Sequence, residues 1–589
     1  MFEQLLKAAR GLDDASLLPD APELLLQAVP DELSLDHIRS LITEPYDGSD
    51  TTAFLWAVYG ALKSTKLGLK HDDDGKYKLI IEEIAIQIGQ LMEPVCSGAA
   101  FNEDLTDYSL LSRNGLLGLY ILNLLIALVP RGSLVLPSRT LLSVIAFTNR
   151  DDPWASSPGV ELAQSLLSDY FHNVPPPQNV KPERFSNLRS IRDAGADRKP
   201  SETVPKTERA RFITEDVLTD FLRPLFARSR PATVTLSGRP AAFPEPSPRY
   251  GQGEGFGGGQ EIINAKPWKY ARQYAVTVFE WTVGNTDTDL LQQHWPLYTP
   301  ILLTLLDESQ PTSLKLRSLS IFRNFWKRCP AGLLSRTGLA DVFEQAVFPT
   351  VLSLPSLTPE AESRALLGAA YPALFDMAGI EDSSVVGTEN RDGRVSGECT
   401  NDQTVGDERD FRSRGFSEAQ RKLLDKIVRE GIMTGYHHAK EHIQLVDLFC
   451  QTLCHLVDGM GILTVKYLKD IIPMISEILV DPFGTQCPPT LLSAIYLLQA
   501  VLRTCWPRIP HYCNEIIKIT MLAWLNIEDD DSFSTKEPIK IELKQQLTKS
   551  VEALSAITGA AKVDMSDRVR PLVAKDPQLR CLFTSCEAT

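Results

Sequence analysis

The sequence spells H-x-x-E-H at His438, Glu441 and His442, the inverted form of a zinc-protease signature. On a single helix, the two imidazoles would stand about one turn apart and could share a zinc ion, while the glutamate could deprotonate a bound water. A peptidase also needs a third protein ligand, and no obvious one follows. The whole chain contains only nine histidines. Because the spacing fits but the third ligand is missing, a zinc metallopeptidase is only an alternative hypothesis.

A helical wheel gives a second interpretation of this stretch. At about 100° per residue, His442 falls within an apolar stripe and His438 lies at its edge, while Lys440 and Glu441 point mostly to solvent. The stripe consists of Ile443, Val446, Phe449, Cys450, Leu453 and Val457. We therefore expect His442 to face the core and to bond to a neighbouring helix without a metal. No catalytic, cofactor-binding or metal-binding residue is predicted, and no cofactor.

Two other patterns resemble chemical motifs but have the wrong setting. The run 253–258 matches G-x-G-x-x-G, yet it follows a proline-rich stretch, whereas a phosphate-binding loop needs an ordered strand before it. Cys450 and Cys454 with His455 could suggest a metal pair, but their neighbours are apolar. The ten cysteines form no C-x-x-C pair, and buried reduced thiols are the expected state.

Composition and charge limit the classes of partner. The net charge is −15 and the pI is near 5.2, which disfavours nonspecific binding to nucleic acid or to anionic membranes. The N-terminus lacks the apolar core of a secretory signal. The most apolar run, 116–129, is roughly 14 residues long where a membrane span needs about 20, so we expect a buried core helix there. These features are typical of a soluble protein that binds other proteins.

Nearly every apolar segment has a 3.6-residue period, which predicts an all-α protein. Helices of similar length with short connections are typical of HEAT and armadillo solenoids, in which antiparallel helix pairs stack. Two long insertions are predicted to be disordered. The predicted segments are an N-terminal helical region (1–173), a Pro/Gly-rich linker with one amphipathic helix near 214–228 (174–260), HEAT-like helices (261–379), a disordered acidic insertion (380–415) and C-terminal HEAT-like helices (416–589).

The turn "CWPRIPHY" is the best candidate for a partner contact. Pro507 is expected to end one helix and Pro510 to start the next, which would leave Trp506 and Arg508 near the surface. Tryptophan and arginine are enriched at interface hot spots. A purely structural corner is the alternative interpretation.

Several longer strings together resemble the Tti-two family, the Tel-two-interacting protein two. The resemblance runs from about 207 to 560 without the 380–415 insertion, and it is clearest in 295–319, 335–374 ("RTGL…FP…LPSLTPE…AYPAL"), 462–484 and 505–517. It implies a HEAT-like solenoid without enzymatic activity. The N-terminal helices up to about 173 are less diagnostic.

The resemblance also implies partners and a location. Members of the family form a heterotrimer with Tti-one and Tel-two, the TTT complex. This complex links the ninety-kilodalton heat-shock chaperone to newly made phosphatidylinositol 3-kinase-related kinases, and so supports DNA-damage responses, TOR signalling and telomere maintenance. The implied location is cytoplasmic and nuclear. A different helical-repeat protein, such as a transport receptor or a tether, is the other alternative.

Overall fold

The computed structural model is all-α, which confirms the predicted fold class. Its described residues are 2–12, 22–43, 51–65, 67, 74–96, 108–129, 134–173, 208–229, 235, 266–307, 310–330, 332–380, 415–530 and 537–584. Within them the only β-type pairing is an isolated bridge between Leu33 and Leu67. Most of the two insertions predicted to be disordered lies outside the described residues.

The chain divides into two compact units, 1–304 with 328–338 and 305–327 with 339–589. The predicted segment limits near 173, 260, 379 and 415 adjoin or fall within stretches outside the described residues, and they stay predictions. The helices before residue 306 are α1 (Glu3–Arg10), α2 (Glu23–Gln27), α3 (Leu35–Thr43), α4 (Thr51–Lys63), α5 (Asp74–Leu91), α6 (Tyr108–Ala127), α7 (Ser138–Ile145), α8 (Ser157–Asn173), α9 (208–229), α10 (Pro267–Tyr270), α11 (Ala275–Gly284) and α12 (Thr288–Leu305).

In the first unit, hydroxyl groups join α5 to α7 at close range. Thr140 donates to the carbonyl of Ala85 and Ser143 to that of Gly89. Gly89 allows this approach, because a Cβ there would lie 2.7 Å from the Thr140 hydroxyl oxygen. The amphipathic helix predicted near 214–228 is α9. It begins at Glu208 and has a π-helical centre, Phe212–Leu222, whose apolar side packs on α7 and α11.

Two stretches, Tyr108–Ala127 and Ile443–Leu479, are long and apolar enough to cross a membrane. Half of the first window and 44% of the second are buried inside the protein. The core helices of soluble proteins give the same signal. The predicted core helix at 116–129 coincides with the second half of α6, except for its last two residues, and Leu119, Ile121, Leu122 and Leu125 are fully buried there.

The second unit is built from two layers of helices. The helices after residue 306 are α13 (Thr312–Arg328), α14 (Leu333–Thr337), α15 (Leu339–Val347), α16 (Glu360–Ala378), α17 (418–439), α18 (Ile443–Met460), α19 (Leu468–Leu479), α20 (Pro488–Thr504), α21 (Ile509–Asp529), α22 (Glu537–Ala560) and α23 (Ser566–Lys575). Of these, the short α14 belongs to the first unit and the others form the second. Contacts and hydrogen bonds between helices place α13, α16, α18, α20 and α22 in one layer and α15, α17, α19, α21 and α23 in the other.

Hydrogen bonds within the layers show a regular repeat. Between α18 and α20, the bonded residues are 46, 42 and 45 positions apart in sequence. Between α20 and α22 the separations are 46, 47 and 51. A nearly constant offset means that neighbouring helices of a layer run parallel, one repeat apart. An offset of this size matches the roughly 40–47 residues of HEAT and armadillo repeats.

The two layers meet through a continuous apolar core. Phe449 of α18 is fully buried and packs on α17 at Gly435. A Cβ at Gly435 would lie 2.9 Å from the Phe449 ring. Because glycine has no side chain, it allows the two helices to approach this closely. Among the tryptophans of both units, those at 268, 295 and 524 are buried, those at 281 and 326 are partly buried, and Trp506 is exposed.

Candidate functional site

The structure separates the members of the H-x-x-E-H motif. Helix α17 ends at Ala439, and His442 is the residue before α18, with an extended backbone (φ −96°, ψ 91°). The zinc-protease hypothesis requires the two histidines to stand one turn apart on a single helix. In the structure they do not. His438 is exposed, so its expected place at the edge of the apolar stripe was wrong.

The packing prediction for this stretch holds in part. The His442 ring does bond to a neighbouring helix, with Nδ1 3.0 Å from Glu360 of α16. However, the side chain is half-exposed and does not face the core, and Ile443 is exposed as well. The other stripe residues, 446, 449, 450, 453 and 457, are buried, and Glu441 faces solvent as expected. The stripe thus begins one turn later than the sequence pattern suggested.

Cys450 and Cys454 occupy an apolar setting. Burial raises the pKa of both thiols, that of Cys454 to about 11, which favours their protonated form at neutral pH. The His455 ring stacks on Phe375 at 5.5 Å. Across the described ranges, no cluster of three or more His, Cys, Asp or Glu side chains is arranged to hold a metal.

The candidate partner contact is an ordered, exposed turn. Helix α20 ends at Thr504, and α21 begins at Ile509 with Pro510 in its first turn, as the proline pattern predicted. The Trp506 side chain is 59% exposed, and Arg508 is exposed beside it. Backbone bonds from Arg508 to the Cys505 carbonyl and from Ile509 to the Trp506 carbonyl hold the turn. Trp506 therefore presents its ring to solvent from a fixed backbone.

A second turn lies at the same edge of the unit. Arg503 near the end of α20 pairs with Asp458 near the end of α18 at 2.8 Å, which aligns the two helix ends. The 3-10 segment Gly461–Tyr467 follows α18 and carries Ile462, which is 48% exposed. We call the turns 461–467 and 505–508 the tryptophan edge. It combines exposed apolar side chains with cationic ones, the composition of many partner-binding surfaces.

One carboxylate fixes the 461–467 turn, and the sequence patterns gave no sign of it. Asp425 of α17 accepts bonds on one oxygen from Lys466 Nζ (2.9 Å), Tyr467 Oη (2.9 Å) and Arg429 Nε (3.2 Å). These bonds, the one from Lys466 foremost, lower the pKa of Asp425 to about 2. The tryptophan edge therefore rests on an ionised group that is charged throughout the physiological pH range.

A groove of about 830 Å³ in the first unit lies between α8 and α11. Phe171 and Trp281 line it, with ring centroids 5.9 Å apart. Of its charged groups, Arg150 pairs with Glu161, and Glu280 accepts a bond from Asn149. These pairings use charges that a ligand would otherwise meet. The hydroxyl of Thr277, which also lines the groove, is likewise engaged, because it donates a hydrogen bond to the buried Asp152.

Comparison with known proteins identifies the family. A model of the Tti2 family matches residues 140–486, which is more than half of the 589-residue chain. The chain belongs to the Tti2 family. This confirms the resemblance recognised from the quoted strings. No curated protein and no solved structure gives a significant match.

The Tti2 family match has a defined extent. It runs from α7 to the short turn before α20, so it includes the H-x-x-E-H stretch and the 461–467 turn. Trp506 and Arg508 lie beyond its end. Their role as a partner contact stays a prediction that rests on exposure and residue type.

Proposed function

We propose that this Tti2 family protein is a non-catalytic scaffold subunit of the TTT complex. In this proposal it assembles with Tti-one and Tel-two. The complex supports the maturation of phosphatidylinositol 3-kinase-related kinases together with the ninety-kilodalton heat-shock chaperone. It acts in the cytoplasm and the nucleus and thereby serves DNA-damage responses, TOR signalling and telomere maintenance.

The family match is the observation that carries the proposal. The architecture agrees with it, because stacked parallel repeats bury their side chains between layers and leave long edges for other chains. The turn at Trp506 is exposed and is held by backbone hydrogen bonds, which lowers the conformational cost of binding. The half-exposed setting of His442 and the break after Ala439 also leave the peptidase alternative without its required geometry.

Affinity purification of the tagged full-length protein from native extract tests the assembly. We expect Tti-one and Tel-two to co-purify at near-stoichiometric amounts. Recovery of the folded protein without any second helical-repeat subunit would refute the proposal. Zinc analysis of the same sample addresses the alternative, since near-stoichiometric zinc that is lost on His438→Ala would support a peptidase.

The double variant Trp506→Ala, Arg508→Glu tests the contact surface. Both side chains are exposed, so folding should be retained while co-purification falls at least tenfold if this turn is a hot spot. Leu79→Ala, at an exposed leucine of the first unit, is the control and should leave co-purification unchanged. Normal binding by a folded double variant would exclude the turn without affecting the family-based proposal.

A further inference from the structure

The edge of the second unit opposite the tryptophan edge carries a row of exposed apolar side chains. Three successive turns, 353–359, 440–442 and 481–487, connect one layer of helices to the other. Leu357, in the first turn, is 90% exposed; Ile443, directly after the second, is 48% exposed; and Phe483, in the third, is 73% exposed. We call these three turns, together with Ile443, the phenylalanine edge.

Contacts between helix starts place the three turns side by side. His442 before α18 bonds to Glu360 at the start of α16, and Arg364 bonds to Gln444 at 3.2 Å. Asp447 near the start of α18 accepts a 2.6 Å bond from Ser493 near the start of α20. The same ends of α16, α18 and α20 therefore lie at one edge, and each presents one large apolar residue in the preceding turn or directly after it.

The apolar side chains are held out by ordered backbone. Asp481 accepts a bond from the Phe483 amide at 3.0 Å, and the Leu357 amide donates to the Leu354 carbonyl, also at 3.0 Å. Pro482 restricts the same turn as Asp481. Exposing leucine and phenylalanine to water is unfavourable, and a preorganised turn that does so saves ordering cost when a partner binds.

The charge of this edge is opposite to that of the tryptophan edge. The turns 353–359 and 481–487 contain no lysine or arginine in their sequence, and exposed carboxylates stand at Glu441 and Asp481. Lys440, the cation of the middle turn, is paired with Glu477 at 2.8 Å. The tryptophan edge carries Arg508, while its lysine, Lys466, is paired with Asp425. Arg364 also lies at the phenylalanine edge, but Glu360 and Glu362 stand at the same helix start, so carboxylates outnumber cations there and the edge favours a basic partner.

The spacing of the turns selects the kind of partner. Parallel helices of one layer pack about 8–10 Å apart, so successive turns present an apolar residue at about that interval. Seven residues of an α-helix span about 10.5 Å. A helix lying along the edge with apolar residues every seven positions would therefore place one on each turn.

We propose that the phenylalanine edge binds a basic amphipathic helix of a partner protein, with Leu357, Ile443 and Phe483 contacting its apolar stripe and Glu441 and Asp481 contacting its cations. This goes beyond the assignment to the TTT complex and does not depend on which subunit supplies the helix. All three apolar residues lie within the range that matches the family model.

Fluorescence anisotropy with the full-length protein and a labelled peptide tests this proposal. The probe is a helical peptide of about 21 residues, which is one heptad for each of the three turns. It has leucine at heptad positions a and d and lysine on the other face. We expect saturable binding that weakens as salt is raised. A matched peptide with glutamate in place of lysine should bind at least tenfold more weakly.

Two isoleucines at opposite ends of α18 provide a matched pair of variants. Ile443 and Ile462 are both 48% exposed, but only Ile443 lies on the phenylalanine edge. We expect Ile443→Ser and Phe483→Ser each to weaken peptide binding at least tenfold, and Ile462→Ser to change it by less than twofold. Circular dichroism confirms that each variant is folded.

Three results would overturn the proposal. They are the absence of saturable binding by the lysine peptide, equal binding of the glutamate peptide, and equal effects of the two isoleucine variants. Sedimentation of the protein alone tests whether a second copy of this chain binds the phenylalanine edge instead. Self-association that Phe483→Ser abolishes would identify that copy as the partner. None of these results bears on co-purification with Tti-one and Tel-two, which is measured separately.

Discussion

Replacing Asp425 with asparagine should loosen the tryptophan edge by removing one charge. Asp425 receives three donors on a single oxygen, and two of them, Lys466 and Tyr467, end the turn that carries Ile462. Asparagine keeps the shape and one acceptor oxygen but loses the negative charge. The ammonium of Lys466 then loses its ionised partner, while the buried Tyr467 keeps only a neutral acceptor.

The lowered pKa sets the scale of this effect. A carboxyl group whose pKa falls from 3.8 to about 2 on folding stabilises the folded state by about 2.4 kcal/mol at neutral pH, taking about 1.4 kcal/mol per unit. The side chain is 39% exposed, so solvent screening reduces this and we expect about 1 kcal/mol. Because the folded pKa is the lower one, the contribution is complete above about pH 5 and about half remains at pH 3.

Urea unfolding of the full-length variants, followed by circular dichroism, measures this prediction. Asp425→Asn should lower the unfolding free energy of the second unit by about 1 kcal/mol at pH 7, and by less at pH 3. Glu552→Gln, at an exposed mid-helix site of the same unit, should change it by less than about 0.5 kcal/mol. A double-mutant cycle with Lys466→Met should give a coupling energy of at least about 0.5 kcal/mol. Coupling near zero, or an equal loss at both pH values, would refute the reasoning.

Three further measurements test the packing at two glycines, the burial of the thiols and the role of His438. Gly368→Ala, at an exposed helix position with open space, should stabilise the second unit by up to about 1 kcal/mol. Gly435→Ala should destabilise it by about 1–3 kcal/mol, because the new Cβ would press on the buried ring of Phe449. Urea unfolding measures both changes, and the same sign for both would contradict this prediction. Maleimide labelling followed by peptide mass spectrometry should modify the exposed Cys581 in the native protein and Cys450 only after unfolding, and fast native labelling of Cys450 would contradict its burial. His438→Ala should leave both metal content and thermal stability unchanged, since the side chain is exposed, and a clear drop in either would show that it binds something.

Local patterns in the sequence were enough for the helices and for the turn at Trp506. The 3.6-residue period depends only on which side chains avoid water, and Pro507 and Pro510 restrict the backbone wherever they occur. The quoted strings were also long enough to identify the family. Each of these signals is carried by residues that are close together in the chain.

The end of α17 after Ala439 was not visible in the sequence. The stretch from Lys440 to His442 contains no glycine or proline to stop a helix, so the apolar period appeared continuous. The chain turns there because α18 must reverse direction to join its layer. Lys440 and Tyr436 both bond to Glu477 of α19, which holds the last turn of α17 in place. This tertiary constraint separated His438 from His442 and removed the apparent metal site.

The sequence by itself determined an acidic all-α member of the Tti2 family, because helix period, charge and family strings are local properties. Only the tertiary structure decided which exposed residues share a surface. Leu357, Ile443 and Phe483 are far apart in sequence, and no local pattern groups them. Their alignment depends on the stacking of parallel helices one repeat apart. That stacking results from side chains packed between the layers, which no single segment of the chain specifies.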